Sequence, residues 1–150
     1  MNLFYSSGVK DERLTRVFIT LFLFTCAFLS GTPSLQAEET AKIRLVAYNI
    51  KHGRGMDNKV DLRRIASVLR TLKPDLVALQ EIDHTCTRSG SVDQAALLGD
   101  LLGMHHRFGA FMDFQGGQYG MAVLSRFPIQ KSIRHQLAPG TEPRCALEVT

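Results

Sequence analysis

No residue type dominates this sequence, and no segment of it recurs at a fixed period, so repeat and fibrous architectures are excluded. Disorder is excluded as well, because 45% apolar residues stand beside only 21% charged ones. No apolar run reaches the roughly 20 residues that a comfortable membrane span needs. Lys and Arg form no cluster resembling a nucleic-acid stripe, so the net charge of +4 is a mild excess that helps attract phosphate without choosing a partner. Cysteine is scarce, with three in the chain, Cys26, Cys86 and Cys145.

What is present begins with a leader. Lys10, Arg13 and Arg16 precede an apolar run over residues 17–29, which breaks at Ser30-Gly31-Thr32-Pro33 and reaches Ala37. Basic, apolar, then small residues is the order of a signal peptide, here residues 1–37, with cleavage after Ala37. An uncleaved anchor is the alternative, and a lipoprotein signal at Cys26 has the wrong residues, Phe24 and Thr25, in front of it. Removal leaves 113 residues, 15 basic and 12 acidic, destined for a secreted or periplasmic location with no membrane span. An oxidising compartment permits a Cys86–Cys145 bridge, and the sequence leaves bridged and free thiols both open.

In the mature chain, residues 43–49 alternate as a strand covered on both faces. A polar loop follows, and Asp61 then caps a helix carrying Leu62, Ile65, Leu69 and Leu72. Pro74 stops that helix. Leu76-Val-Ala-Leu79 reads as a buried strand, ended by Gln80 and Glu81, and a polar loop runs from Asp83 to Gly90. A parallel pair joined by a crossover helix brings Asn49 and Glu81 to the carboxyl edge of one sheet, where open α/β sheets place ligands. A second helix spans residues 93–102, with Ala96, Leu97 and Leu101 apolar and Gly103 closing it. Strands follow at residues 106–112, 119–125, 129–137 and 144–150. Turns at Gln115-Gly116-Gly117, Phe127-Pro128 and Pro139-Gly140 separate them. The sheet is left open at Thr150, which reads as the front part of a larger domain.

Ala47-Tyr-Asn49-Ile, Pro74-Asp-Leu-Val-Ala-Leu-Gln-Glu81 and Gly120-Met-Ala-Val-Leu-Ser-Arg126-Phe-Pro-Ile129 together resemble the opening motifs of the endonuclease/exonuclease/phosphatase family. That resemblance implies a four-layered α/β sandwich of the deoxyribonuclease I type, begun by residues 38–150. It also implies a metal-dependent phosphoesterase. Mg²⁺ binds through one or two carboxylates and keeps the rest of its shell for water and phosphate oxygens. The resemblance assigns Glu81 to that metal, with Mn²⁺ as a substitute, and places Asn49 in the catalytic site as a neutral donor and acceptor. Arg88, Gln94, Tyr119 and Arg144 are candidate substrate contacts at the same edge, each of which could equally be a surface or strand residue. His52 is read as a solvent-facing loop residue. Asp75 is read as structural, bonding backbone N–H groups.

The family's later Gly-Asp-x-Asn and Ser-Asp-His motifs, the second of which supplies the base that activates water, do not occur here. Two readings follow. One is an exported monomeric hydrolase of phosphate esters (nucleic acid, phospholipid headgroup or small phosphodiester) whose catalytic set is completed elsewhere in the protein. The other is a non-catalytic extracytoplasmic binding domain.

Overall fold

A computed structural model describes residues 41–150. The leader, its cleavage site and Cys26 lie outside the described residues. Strand β1 (Leu45–Asn49) pairs in parallel with β2 (Leu76–His84), from Leu45 opposite Leu76 to Asn49 opposite Gln80. Helix α1 (Leu62–Leu72) makes the crossover. The Asp61 carboxylate accepts from the Arg63 and Arg64 N–H groups at its start, and Lys73 turns left-handed at its end, where the following Pro74 disfavours further α backbone. Helix α2 (Gln94–Leu102) opens on the Asp93 carboxylate and closes on left-handed Gly103. Strands β3 (His105–Phe114) and β4 (Gly117–Ser125) form a hairpin, turning at Gln115 and Gly116, both at positive φ as a two-residue hairpin loop requires. The sheet order is β1-β2-β4-β3, and β4 runs antiparallel to both neighbours.

Both helices cover one face of the sheet. Leu62, Ala66 and Leu69 of α1 and Ala95 and Leu98 of α2 are buried with Val77, Leu79, Ile82, Ala122 and Leu124. The fully buried face of α2 is Gln94, Ala95, Leu98 and Gly99, and Leu97 and Leu101 pack half-buried against the same core. On the opposite face β5 (Ser132–Gln136) and β6 (Cys145–Val149) form an antiparallel pair, and Leu147 lies against Gly109 of β3. Phe111, Tyr119 and Cys145 make a second, smaller core there. Cys86 and Cys145 are buried free thiols.

Two expectations are corrected. Among the described residues β1 is an edge strand covered on one face only: Val46 and Tyr48 pack against the helices, while Leu45 is 64% exposed and Ile43, expected within the strand, precedes it. β2 does not end at Glu81 but continues to His84, so Asp83 and His84 belong to the strand and not to the loop. The physical reason is a bulge. Val77 and Leu79 face the helices, and strict alternation would send the Glu81 carboxylate into that core next. An extra residue resets the alternation. Gln80 pairs with Met121 and Ile82 with Gly120, leaving Glu81 without a partner, and Ile82 takes the core position instead.

Candidate active site

The bulge aims Glu81. Its φ of 57° lies in the left-handed region, a conformation that costs a non-glycine residue about 1–2 kcal/mol. Strain of this kind persists where the surroundings over-determine it, and it clusters at functional sites. β3 carries a second bulge at Phe111, between the Ala110–Gly120 and Met112–Tyr119 pairs. Both irregularities therefore flank Gly120. A Cβ there would sit 2.1 Å from the Gly109 carbonyl oxygen, so glycine is the one residue that fits between two bulged neighbours.

Asn49 Nδ2 donates to Glu81 Oε1 at 2.7 Å, joining the ends of two parallel strands at the carboxyl edge. The backbone N–H of Lys51 donates to Asn49 Oδ1 at 3.0 Å, which fixes the amide with its NH₂ toward the carboxylate. Glu81 is half-buried and makes no ion pair among the described residues. Asn49 is exposed.

The other candidates separate into two groups. Tyr119 of β4 and Arg144, which precedes β6, lie within electrostatic reach of Glu81. Burial pushes the Tyr119 phenol above its ordinary value against the pull of the Arg144 guanidinium. Arg144 lies over the Phe111 ring, 4.9 Å from its centroid, and pairs with Glu142. These side chains stand with Asn49 and Glu81 at one edge. Arg88 and Gln94 turn instead toward the protein. Arg88 donates through Nε at 2.8 Å and Nη2 at 2.7 Å to the two oxygens of Asp83, so the fork that would grip a phosphate is already engaged. Its guanidinium also lies over Phe114 and Tyr119. Gln94 is fully buried; its Oε1 accepts from the Asp83 N–H at 3.0 Å and its Nε2 donates to the His52 carbonyl at 2.9 Å. That amide clasps the loop after Asn49 to the strand beyond the bulge.

Asp83 was missing from the sequence expectations. It is fully buried, and although burial raises its carboxyl, the hydrogen bonds and charge of Arg88 outweigh that and hold it below the usual carboxylate range. The signal was Ile82 standing one place out of phase with Val77 and Leu79, together with a glycine inside the facing strand. His52, read as solvent-facing, is half-buried and left-handed at φ 46°, in a 3₁₀ turn with Lys51 and Gly53. Burial, with the neighbouring Arg88 charge, pushes its imidazole below the ordinary value against the opposing pull of Asp83. Asp75 accepts from the Arg44 N–H at 2.7 Å and pairs with Arg126 at 2.8 Å, tying β1 and the exit of β4 together at the opposite end of the sheet.

The model of the Endonuclease/Exonuclease/phosphatase family matches residues 46–149. The crystal structure of an endonuclease/exonuclease/phosphatase from Beutenbergia cavernae DSM 12333 is similar at a TM-score of 0.59 and 30% identity, over 71% of this chain and 33% of that one. An endonuclease/exonuclease/phosphatase family protein from Leptotrichia buccalis C-1013-b shares the fold at a TM-score of 0.55 and 14% identity, over 72% of this chain and 48% of that one. This chain thus spans between a third and a half of the length of these relatives. The three stacked layers seen here, helices, main sheet and β5-β6 pair, are part of their mixed α/β domain. With its family motifs gathered at one sheet edge and its match running from β1 to the last strand, the chain belongs to the endonuclease/exonuclease/phosphatase family, whose members are generally hydrolytic.

Proposed function

We propose that the protein is an exported, Mg²⁺-dependent hydrolase of phosphate esters. One observation carries the reading: the Glu81 carboxylate, aimed by a strained bulge, is held at 2.7 Å by the Asn49 amide at the carboxyl edge of the sheet. The donor set fits the metal. Mg²⁺ asks for one or two carboxylates and fills its remaining positions with water and substrate oxygens. Glu81 offers one oxygen fixed by Asn49 and a second without a hydrogen bond among the described residues. Glu81 would hold Mg²⁺, or Mn²⁺ in its place, and the bound ion would stabilise charge developing on the phosphoryl oxygens.

The chain's own residues supply orientation. Asn49 fixes the carboxylate without adding repulsive charge, and Arg144 and Tyr119, within electrostatic reach of Glu81, are the candidate contacts to substrate oxygens. Asp83 and Gln94 hold the bulge and the Asn49 loop in register, and Arg88 braces them. The proton of the attacking water goes to a base that is not among residues 41–150. The leader pattern supports export, the absence of a Lys/Arg stripe favours small phosphodiesters or headgroups over long nucleic acids, and the protein acts as a monomer. A non-catalytic binding domain is the second reading, and one assay decides between the two.

The test is hydrolysis of bis(p-nitrophenyl) phosphate by the full-length protein. Glu81→Gln should lower turnover at least about a hundredfold, beyond the 10–100-fold typical of residues behind a metal ligand, with partial rescue by added metal. Asn49→Ala should lower turnover without that rescue. Undiminished activity in Glu81→Gln, or wild-type activity that survives exhaustive chelation, would leave the binding domain as the better account.

A further inference from the structure

At the end of the sheet opposite the Asn49–Glu81 pair, the last turns of α1 and α2 and the exit of β4 enclose a cavity of about 230 Å³ that the proposed chemistry does not touch. Leu69, Leu102 and Met104 give it apolar walls, and Arg70, Lys73 and Arg126 stand around it exposed. No carboxylate lines it among the described residues. Asp75 neutralises Arg126 at 2.8 Å, but Arg70 and Lys73 have no ion pair among the described residues. The Arg70 guanidinium is fixed through Nη2, which donates to the Leu101 carbonyl at 2.6 Å, while its Nε and Nη1 make no hydrogen bond among the described residues. Lys73 is set by its left-handed backbone, whose N–H donates to the Leu69 and Arg70 carbonyls at 3.2 and 3.3 Å. Both cations are thus positioned without a ligand.

Cations collect at helix C-termini for a reason that needs no ligand, since each such end carries about half a negative charge. Two helix ends meet here, and together they offset about one of the two unpaired cations. About one positive charge is left over at the mouth of an apolar cavity, which neither capping nor packing requires. Walls of hydrocarbon favour an alkyl group, because a polar occupant would leave its hydrogen bonds unmade there. The volume is below the roughly 300–1,000 Å³ of pockets that enclose drug-sized molecules, so it takes a short chain or the end of a longer one. A guanidinium with two donors to spare and a neighbouring ammonium suit a phosphate group. We infer that this cavity binds an alkyl phosphate, its phosphate on Arg70 and Lys73 and its chain against Leu69, Leu102 and Met104. The site lies apart from the Asn49–Glu81 edge and stands whether or not that edge hydrolyses esters.

The experiment is calorimetric titration of the full-length protein, under chelator, with ethyl phosphate, butyl phosphate and butanol. Each CH₂ taken from water is worth about fourfold, so butyl phosphate should bind about fifteenfold tighter than ethyl phosphate. Butanol, which lacks the anion, should bind at least about tenfold more weakly than butyl phosphate, the loss expected from one charged hydrogen bond. The Arg70→Gln/Lys73→Asn double variant, in which Asn tolerates the left-handed backbone, should lose as much affinity for butyl phosphate, whereas Glu81→Gln should bind it as the wild type does. The chain-length series needs the wild type alone, so it decides even where the double variant fails to fold. Equal affinity for ethyl and butyl phosphate, or binding that Glu81→Gln weakens and a folded double variant does not, would overturn the inference. Sedimentation with phosphatidylglycerol vesicles separates the two sources of such a ligand. Pelleting of the wild type but not of the double variant would mark a membrane lipid, and wild type left in solution a free alkyl phosphate.

Discussion

The left-handed backbone of Glu81 makes a prediction whose sign is opposite to that for an ordinary strand residue. In the middle of a strand, Ala is more stable than Gly by roughly 0.5–1 kcal/mol, because Gly loses more freedom on folding. At φ 57° the balance reverses. An alanine there bears the left-handed cost of about 1–2 kcal/mol, which Gly escapes, whereas the greater freedom of Gly in the unfolded chain returns about 0.4–1 kcal/mol. Both substitutions delete the carboxylate and its bond to Asn49, so those losses cancel in the comparison. Glu81→Gly should therefore be more stable than Glu81→Ala by about 0.5–1 kcal/mol. Urea unfolding of the two full-length variants, followed by circular dichroism, measures the difference directly. Equal midpoints, or a more stable alanine variant, would mean that Glu81 is not held in a left-handed bulge, and the argument for its aim would fall with it.

Gly120→Ala should cost at least about 3 kcal/mol or abolish folding, since its Cβ would meet backbone oxygen at 2.1 Å and neither neighbour can yield without undoing a bulge; a thermal melt decides it. Asp83→Asn leaves Arg88 without its partner, and because Arg88 is partly exposed the cost should be about 2 kcal/mol, below the 3–5 kcal/mol of a fully buried pair. In wild type the Asp83 carboxyl lies lower when folded than when unfolded, so its contribution is present above pH about 4 and is lost as pH falls through the folded value, and Asp83→Asn should flatten that acid limb of an unfolding profile. The His52 imidazole lies lower when folded, so the unfolded chain binds the proton first and stability should fall as pH drops below about 6.5. His52→Asn, which tolerates the left-handed backbone, should remove that dependence.

Much of the fold was legible because its signals are local. Asp61 is legible as a cap by its side-chain chemistry, Gly103 and the Gln115-Gly116 turn by backbone freedom, and the parallel pair by the length of the crossover between Asn49 and Leu76. The meeting of Asn49 with Glu81 followed from that topology. What stayed hidden depends on partners distant in sequence or on a broken rhythm. Glu81 looked like a strand end because the bulge interrupts alternation without ending the pairing, and only the register against β4 shows that β2 continues. Arg88 reads as a free cation on a loop until the chain folds back onto Asp83. Gln94 sits at a polar helix start, and its burial depends on β2 and the His52 loop closing over it together. Covered faces were overestimated at β1, where an apolar sequence alternates but the described residues shield only the helix side.

Gly120 also works as a register lock for the sheet. Shifting β4 by one position against its neighbours would place Met121 or Tyr119 opposite the bulges, where no side chain can be accommodated beside the Gly109 oxygen. Strand slippage is normally opposed by the hydrophobic pattern and the turn; here a steric filter at the centre of the hairpin opposes it as well. One atom's absence thereby aligns three strands at once, and the carboxylate on one side of β4 and the aromatic cluster on the other are placed as a coupled pair. Substitutions at Glu81 and Phe111 should accordingly be non-additive when combined, despite lying on different strands and belonging to different clusters.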